Sequence, residues 1–212
     1  MEEHDNIGVI EPIQFVKFDE FLAWPELSDL TNFVNDREDQ LRPSSVIFHS
    51  RDDRKHASVE EYRRSHVTLD LGPFTHLISA RIRFYFPQIL RALKHPMFEI
   101  TRLEPQITAS NDGDFFKIHN DSTHAKAPSR EITFVYFFHR EPVPFTGGEL
   151  VIYESRSKNG ESWTTGKEKR ITPEQNSIVF FPSLRLHEVL PVHCRSRQFA
   201  DSRFTLNGWI HS

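Results

Sequence analysis

The sequence predicts an α+β fold that is mainly β, in which helices of the N-terminal part pack on a β-sandwich or jelly roll. Two observations support this expectation. Apolar residues recur at helical spacing in the first half of the chain. From residue 98 onward, short β-rich runs follow one another and are separated by turn-forming residues. Many short strands joined by such turns are typical of a sandwich or a jelly-roll barrel.

Two helical segments are predicted in the N-terminal part. The first begins near Pro25 and runs to about Gln40, and the second begins near Pro73. Because a proline inside a helix kinks or breaks it, Pro87 should end the second segment and begin a short further piece. The apolar stripes expected to face the core are Leu27, Leu30 and Val34 in the first segment, Phe74, Leu77, Ile78, Ile82 and Tyr85 in the second, and Leu90 and Leu93 in the last piece.

Seven β-rich runs make up the C-terminal part. They cover residues 98–109, 115–119, 132–138, 149–153, 177–181, 187–192 and 204–211. The strongest turn signals between them are Asn111-Asp112-Gly113, Thr146-Gly147-Gly148 and Lys158-Asn159-Gly160. We therefore divide a single domain, residues 1–212, into an N-terminal helical support region at 1–97 and a β core at 98–212.

Two segments have both a plain and a functional interpretation. Residues 50–65 are charged and turn-like, which favours a solvated loop; the alternative is a lid over a substrate, because binding residues often lie on loops. Gly147 and Gly148 are expected to form a tight turn with a purely structural role.

Composition excludes several classes of protein. The 212 residues carry a net charge of −4, so a nucleic-acid-binding face is not indicated. The lone cysteine excludes an internal disulfide and fits a reducing compartment. The acidic start of the chain has no secretory signal, and no apolar run is long enough for a membrane span. We expect a cytoplasmic protein with no nucleic-acid or membrane partner, and the sequence leaves its oligomeric state open.

The most informative motif is His119-x-Asp121 followed by His187. Alternate residues of a strand project to the same side, so the run at 115–119 should direct His119 and Asp121 together. His187 would come from a neighbouring strand. Two imidazoles and one carboxylate can occupy one face of a ferrous ion and leave the other positions open. The alternative is that each histidine is an ordinary surface or partly buried residue.

Six motifs occur in the order known from one enzyme family. They are Asp112-Gly113-Asp114-Phe115-Phe116-Lys117-Ile118-His119-Asn120-Asp121, Arg130-Glu131-Ile132-Thr133-Phe134-Val135-Tyr136-Phe137, Gly147-Gly148-Glu149-Leu150, Ser177-Ile178-Val179-Phe180-Phe181-Pro182, His187-Glu188-Val189-Leu190-Pro191-Val192 and Arg203-Phe204-Thr205-Leu206-Asn207-Gly208-Trp209. This order resembles the prolyl-4-hydroxylase-like iron(II)- and 2-oxoglutarate-dependent oxygenases, from about Ile100 to His211.

The resemblance implies a fold and a set of site residues. The fold is a double-stranded β-helix, a form of jelly roll, and the iron ligands are His119, Asp121 and His187. Arg203 would hold the distal carboxylate of 2-oxoglutarate, since a guanidinium matches a carboxylate in bidentate fashion. The interval of sixteen residues after His187 is longer than usual in the family, so Arg195 and Arg197 compete with Arg203 for this role.

The sequence departs from the family's pattern at two positions. Relatives often carry tyrosine at the position of Phe137 and near Ala109, and neither residue here has a hydroxyl for the co-substrate. The pocket is therefore less polar than usual, or other groups complete it. Asn207, four residues past Arg203 on the same strand face, is the candidate for this second role.

The resemblance also implies the activity. The expected enzyme uses iron(II), 2-oxoglutarate and dioxygen, with ascorbate as a further candidate cofactor, to hydroxylate an unactivated C–H bond. Only three residues follow Trp209, which leaves no extension to grip a protein, so we expect a small-molecule or amino-acid-derived substrate. The alternatives are a protein prolyl hydroxylase of the same chemistry, a catalytically silent metal-binding jelly-roll module, and a jelly-roll binding module without metal.

Overall fold

Two β-sheets face each other, and two long helices cover the outer face of the larger sheet. This computed structural model describes residues 8–44, 59–122 and 127–212. Its helices are α1 (Trp24–Asn35), α2 (Val59–Tyr62) and α3 (Phe74–Ala92). Its strands are β1 (Val9–Glu11), β2 (Val16–Phe18), β3 (Arg42–Pro43), β4 (Arg63–Arg64), β5 (His66–Thr68), β6 (Arg102–Ser110), β7 (Phe115–His119), β8 (Arg130–Phe138), β9 (Thr146–Gly147), β10 (Leu150–Lys158), β11 (Glu161–Ile171), β12 (Ser177–Pro182), β13 (His187–Val189), β14 (Val192–His193) and β15 (Arg203–His211).

The strand order is that of a jelly roll, which confirms the predicted fold class. The larger sheet has the order β2-β12-β8-β15-β6-β5-β3, and the smaller has the order β1-β10-β13-β7-β4 with β11 also paired to β10. All of these pairs are antiparallel. Strands β14 and β9 form a separate pair. The functional cavity lies between the two main sheets.

Strand β15 shows how one sheet serves both core and cavity. Phe204 and Leu206 point outward into the apolar cluster beneath the helices. Arg203, Thr205 and Asn207 alternate with them and line the cavity on the inner face. The inner face of the larger sheet is therefore polar in its middle, whereas its outer face is continuous with the main hydrophobic core.

The helices pack through the predicted apolar stripes, but Pro87 does not divide the second one. Helix α3 continues through Pro87 to Ala92. Residues before and after the proline, such as Ile82 and Ile89, are fully buried in the same cluster, and this shared packing offsets the lost backbone hydrogen bond. Helix α1 ends at Asn35, and the predicted extension to Gln40 is a separate 3₁₀ turn, Glu38–Gln40.

Each predicted β-rich run contains a strand, with changes at the ends. The run at 98–109 becomes a strand only at Arg102, and the run at 187–192 is divided between β13 and β14. The long strand β11 was not predicted, because it is polar and mostly exposed and so shows no apolar alternation. Asn159 and Gly160, with φ of 54° and 82°, form the predicted turn that joins it to β10.

The first part of the chain adds strands as well as helices. Strands β1 and β4 join the smaller sheet, and β2, β3 and β5 join the larger one. These short edge strands lack a sequence signal of their own. The division into parts at residue 97 stays a prediction. Among the described residues, no helix is both long and apolar enough to cross a bilayer.

The charged segment at 50–65 lies mostly outside the described residues, so the lid interpretation remains a prediction. Its described end consists of α2 and β4, followed by Ser65. Strand β4 pairs with β7, which carries His119, and so brings Arg63 and Arg64 alongside Phe116 and Phe115.

Candidate metal centre and co-substrate pocket

The three residues of the H-x-D…H motif meet at one point between the sheets. His119 ends β7 and His187 begins β13, and the two are direct partners in the ladder. One donor atom from each of His119, Asp121 and His187 lies within 4.8 Å of the others. His187 Nε2 is 3.3 Å from Asp121 Oδ2, and His119 Nε2 is 3.7 Å from Asp121 Oδ1.

Backbone carbonyls fix the orientation of both imidazoles. His119 donates its Nδ1–H to the carbonyl of Lys117 at 2.7 Å, and His187 donates its Nδ1–H to the carbonyl of Arg185 at 2.9 Å. A proton on Nδ1 leaves the lone pair on Nε2, the atom that faces Asp121 in both cases. This hydrogen-bonding pattern is typical of metal-binding histidines, whose second nitrogen is held by the protein.

Asp121 is positioned by hydrogen bonds rather than by the strand. Strand β7 ends at His119, so the predicted alternation does not extend to Asp121. The Asp121 backbone N–H donates to the carbonyl of Ser183 at 3.0 Å. The Thr133 hydroxyl donates to Asp121 Oδ2 at 2.8 Å and lies 3.0 Å from the Ser183 hydroxyl. The larger sheet therefore holds the carboxylate against two histidines of the smaller sheet.

The charges of the triad suit a divalent metal. Burial lowers the pKa of His119 to about 3, with a further contribution from His187, so the imidazole is neutral at neutral pH. Burial alone would raise the pKa of Asp121, but His187, His119 and the Thr133 hydrogen bond hold it below its usual range. Two imidazoles and one carboxylate are the donor set that iron(II) takes in facial triads.

Arg203 lies in the same cavity with an unsatisfied guanidinium. The side chain is 2% exposed, and its Nε and Nη2 have no hydrogen-bond partner among the described residues. Burial lowers its pKa to about 10, with Glu149 opposing the shift, so it remains charged at neutral pH. Its guanidinium carbon is 5.0 Å from the centre of the Phe137 ring. An unpaired buried cation is costly, and a ligand carboxylate would satisfy it.

Gly148 makes room for Arg203. Its backbone has a φ of +69°, and a Cβ placed there would lie 2.6 Å from Arg203 Cδ and 2.9 Å from Val192 Cγ2. The sequence predicts only a structural turn at Gly147-Gly148, because nothing in it indicates that the chain folds back onto Arg203. Gly148 is therefore a residue of the site that sequence reasoning missed.

The competing arginines lie elsewhere. Arg197 is exposed and forms an ion pair with Asp112 at 3.0 Å, and Arg195 is also exposed. Neither is among the residues that line the cavity. Asn207 does line it, and its Oδ1 accepts hydrogen bonds from Thr108 at 2.8 Å and Thr205 at 3.2 Å.

The cavity has polar side chains in its lining although Phe137 and Ala109 lack hydroxyls. The uncharged polar residues of the lining are Ser65, Gln106, Thr108, Ser110, Thr133, Thr205 and Asn207. These groups are candidates to replace the missing hydroxyls, and the role of Asn207 stays a prediction. Arg63 of β4 lines the cavity from the opposite sheet. From the sequence alone, Arg63 belongs only to the charged segment at 50–65.

The fold and the site agree with the family comparison. The model of the 2OG-Fe(II) oxygenase superfamily matches residues 105–211. An uncharacterized PKHD-type hydroxylase of Synechocystis sp. is 38% identical over 215 aligned positions, which cover 97% of this chain and 69% of the relative. The chain belongs to the 2OG-Fe(II) oxygenase superfamily.

Further relatives and solved structures extend this comparison. A PKHD-type hydroxylase of Hyphomonas neptunium is 31% identical over 134 residues, 58% of this chain and 52% of the relative. A Pseudomonas putida prolyl-4-hydroxylase structure has a TM-score of 0.61 at 20% identity. The alignment covers 94% of this chain and 93% of that structure's chain. A Trichoplax adhaerens prolyl hydroxylase, in complex with a hypoxia inducible factor peptide fragment, has a TM-score of 0.66 at 16% identity. That alignment covers 94% of this chain and 84% of the Trichoplax chain. At such identities the structures show a shared fold.

Family membership identifies the catalytic class. The protein is a dioxygenase that uses iron(II), 2-oxoglutarate and dioxygen. Two observations fit these cofactors independently of the comparison: the converging His-Asp-His donors and the buried, unpaired guanidinium of Arg203.

Proposed function

We propose that His119, Asp121 and His187 bind the catalytic iron(II) and that Arg203 binds the distal carboxylate of 2-oxoglutarate. The observation that carries this proposal is that one cavity holds both the converging donors and the unpaired cation. The enzyme then hydroxylates an unactivated C–H bond of a small-molecule or amino-acid-derived substrate.

The protein's part in the reaction is to hold and orient the reactants. The bound metal and co-substrate supply the oxidation of a C–H bond by dioxygen. Arg203 fixes one end of 2-oxoglutarate through a charge-assisted contact, and Gly148 leaves room for that arginine. Asn207 lines the same cavity, and its amide nitrogen is available to the co-substrate because Thr108 and Thr205 donate to its oxygen. The apolar rings of Phe137 and Phe181 border the site and limit the access of water.

The expected substrate is small because the charged groups lie within the cavity, where a small polar molecule can reach them. Peptidyl-proline hydroxylation is the second candidate, favoured by the fold shared with prolyl hydroxylases, one of them bound to a peptide. A cytoplasmic location is supported by the free, buried Cys194, which fits a reducing compartment.

Alanine variants of the triad test the metal site. His119→Ala, Asp121→Ala and His187→Ala should each bind iron(II) far more weakly, measured by anaerobic equilibrium dialysis, and should form no succinate from 2-oxoglutarate. Circular dichroism establishes that each variant is folded. A folded variant that keeps near-normal iron affinity and turnover would exclude that residue as a ligand.

The co-substrate site is tested by three parallel arginine variants. Arg203→Ala loses a charge-assisted contact worth about 2–3 kcal/mol. The KM of this variant for 2-oxoglutarate should therefore rise about thirtyfold or more. Iron affinity should change little. Arg195→Ala and Arg197→Ala should behave like the wild type. If Arg203→Ala binds 2-oxoglutarate normally and Arg195→Ala or Arg197→Ala does not, the residue that binds the distal carboxylate lies in the loop before β15.

A further inference from the structure

A second cationic side chain enters the cavity opposite Arg203. Arg63, on the edge strand β4 of the smaller sheet, lines the same cavity as the triad. Its guanidinium carbon is 4.7 Å from the centre of the Phe116 ring, and that ring stacks on His119 with 3.5 Å between centres. Arg63 therefore lies on the histidine side of the metal centre, whereas Arg203 projects from the facing sheet.

The contacts of Arg63 hold its position and leave most of its donors free. Its Nε donates to the Ser65 hydroxyl at 3.2 Å, and Ser65 in turn donates to Ser44 at 3.1 Å. Among the described residues, its two terminal nitrogens have no hydrogen bond and no ion pair. Burial lowers its pKa to about 10, with Asp121 opposing the shift, so the side chain is a cation at neutral pH.

The charges around the cavity indicate that the cofactors leave this cation without an ion pair. Of the described residues that line the cavity, only Asp121 is acidic. Glu149, outside the lining, acts on Arg203. The carboxylate that acts on Arg63 is that of Asp121, which faces the metal site. A partly buried guanidinium whose terminal nitrogens are unpaired is suited to bind a ligand anion.

We propose that Arg63 binds a carboxylate of the primary substrate, and that the enzyme acts on small carboxylic acids. The proposal deepens the proposed function and rests on it, because it concerns the substrate side of the same metal centre. A carboxylate fits the fork of a guanidinium in bidentate fashion, and Phe116 supplies an apolar surface for the carbon atoms beside it. Recognition by Arg63 would place the C–H bonds near this carboxylate next to the iron.

The neighbouring residue Arg64 provides a matched control. It has the same charge and lies on the same short strand, but it projects the other way, bonds to Asp114 at 3.1 Å and is half exposed. It does not line the cavity. A change of Arg64 removes a nearby positive charge from a residue that is not part of the cavity lining.

The test compares Arg63→Gln, Arg63→Lys and Arg64→Gln with the wild type. The probes are free L-amino acids, their N-acetyl derivatives, and the carboxamides of both. One measurement is succinate formation from 2-oxoglutarate with each probe present. The other is calorimetric binding of each probe to the enzyme that holds Mn(II) and 2-oxoglutarate without dioxygen. The KM for 2-oxoglutarate and the circular dichroism spectrum report whether the rest of the site is intact.

We expect at least one acid to bind and to stimulate turnover well above its carboxamide. Arg63→Gln should weaken binding of that acid by about thirtyfold or more and leave the KM for 2-oxoglutarate unchanged. Arg63→Lys should recover part of the loss, and Arg64→Gln should match the wild type.

Two different failures are distinguishable. If the wild type turns over 2-oxoglutarate but no acid surpasses its carboxamide, or if Arg63→Gln binds the acid as the wild type does, the carboxylate site is wrong and the proposed function stands. If the iron-loaded wild type forms no succinate with or without probes, the proposed function itself is overturned, and this inference with it.

Discussion

Gly148 gives the sharpest test of how the fold positions Arg203. In Gly148→Ala, the new methyl group would lie 2.6 Å from Arg203 Cδ, 3.1 Å from Arg203 Nε and 2.9 Å from Val192 Cγ2. Carbon atoms pack at about 3.5–4.0 Å, so at least one neighbour must move. Two of the three close atoms belong to the flexible Arg203 side chain. We therefore expect the guanidinium to shift away from the position at which it would meet 2-oxoglutarate.

Two costs of the substitution can be separated. Alanine at a φ of +69° costs roughly 1–2 kcal/mol of folding stability wherever it occurs. Displacement of Arg203 affects binding instead. Loss of a hydrogen-bonded charge contact costs about 1.5–3 kcal/mol, which corresponds to a rise in the KM for 2-oxoglutarate of about tenfold to a hundredfold. Iron affinity should be unchanged, because Gly148 is not among the residues around the triad.

Gly160 supplies the control for backbone strain. Its φ is +82°, and a Cβ placed there meets nothing within 4 Å. Gly160→Ala should therefore lose a similar amount of stability in chemical denaturation and keep a normal KM for 2-oxoglutarate. Steady-state succinate assays on both variants provide the comparison. Equal KM values in Gly148→Ala and Gly160→Ala would refute the argument that Gly148 positions Arg203.

Two further predictions concern the triad. Thr133→Val removes the hydrogen bond to Asp121 Oδ2 and should weaken iron(II) binding about tenfold to a hundredfold in anaerobic titrations; an unchanged affinity would deny Thr133 a positioning role. The second concerns the metal-free protein. The pKa of His119 is about 3 when folded and 6.5 in its unperturbed state, so below pH 6.5 the unfolded chain binds the extra proton. As the pH is lowered, the free energy of unfolding should then fall by up to about 1.4 kcal/mol per pH unit. In thermal melts between pH 7 and pH 5, His119→Gln should show a weaker dependence on pH. A parallel loss in both proteins would contradict the reasoning.

Much of the fold could be predicted because its signals are local. The apolar stripe of α1, the continuous apolar runs of β8 and β12 and the alternation in β15 appear directly in the sequence. Strand β11 is held by its pairing to β10 and buries little, so it leaves no such pattern. Pro87 misled the prediction because the local cost of a proline is outweighed by packing on both sides of it.

The site could be predicted where its residues form an unusual combination in the sequence. His119, Asp121 and His187 form a recognisable set at a recognisable interval. Gly148 and Arg63 belong to no motif that indicates their position in the site. Gly148 matters through a contact with a residue fifty-five positions away, and Arg63 through the pairing of a two-residue edge strand with β7. Contacts of this kind depend on the register between strands, which a single sequence does not display.

The same register links the stability of this fold to its function. On β15, the odd-numbered residues from Arg203 to Trp209 line the cavity, and the even-numbered residues, such as Phe204 and Leu206, face the helical core. A slip of one residue against β8 or β6 would bury Arg203 in the core and expose Phe204 to the cavity, at a cost of several kcal/mol from the unpaired charge alone. The apolar face beneath the helices therefore selects the register, and the register places the co-substrate anchor opposite the histidines. Substitutions in that apolar face should alter 2-oxoglutarate binding as well as stability, although none of these residues touches the cavity.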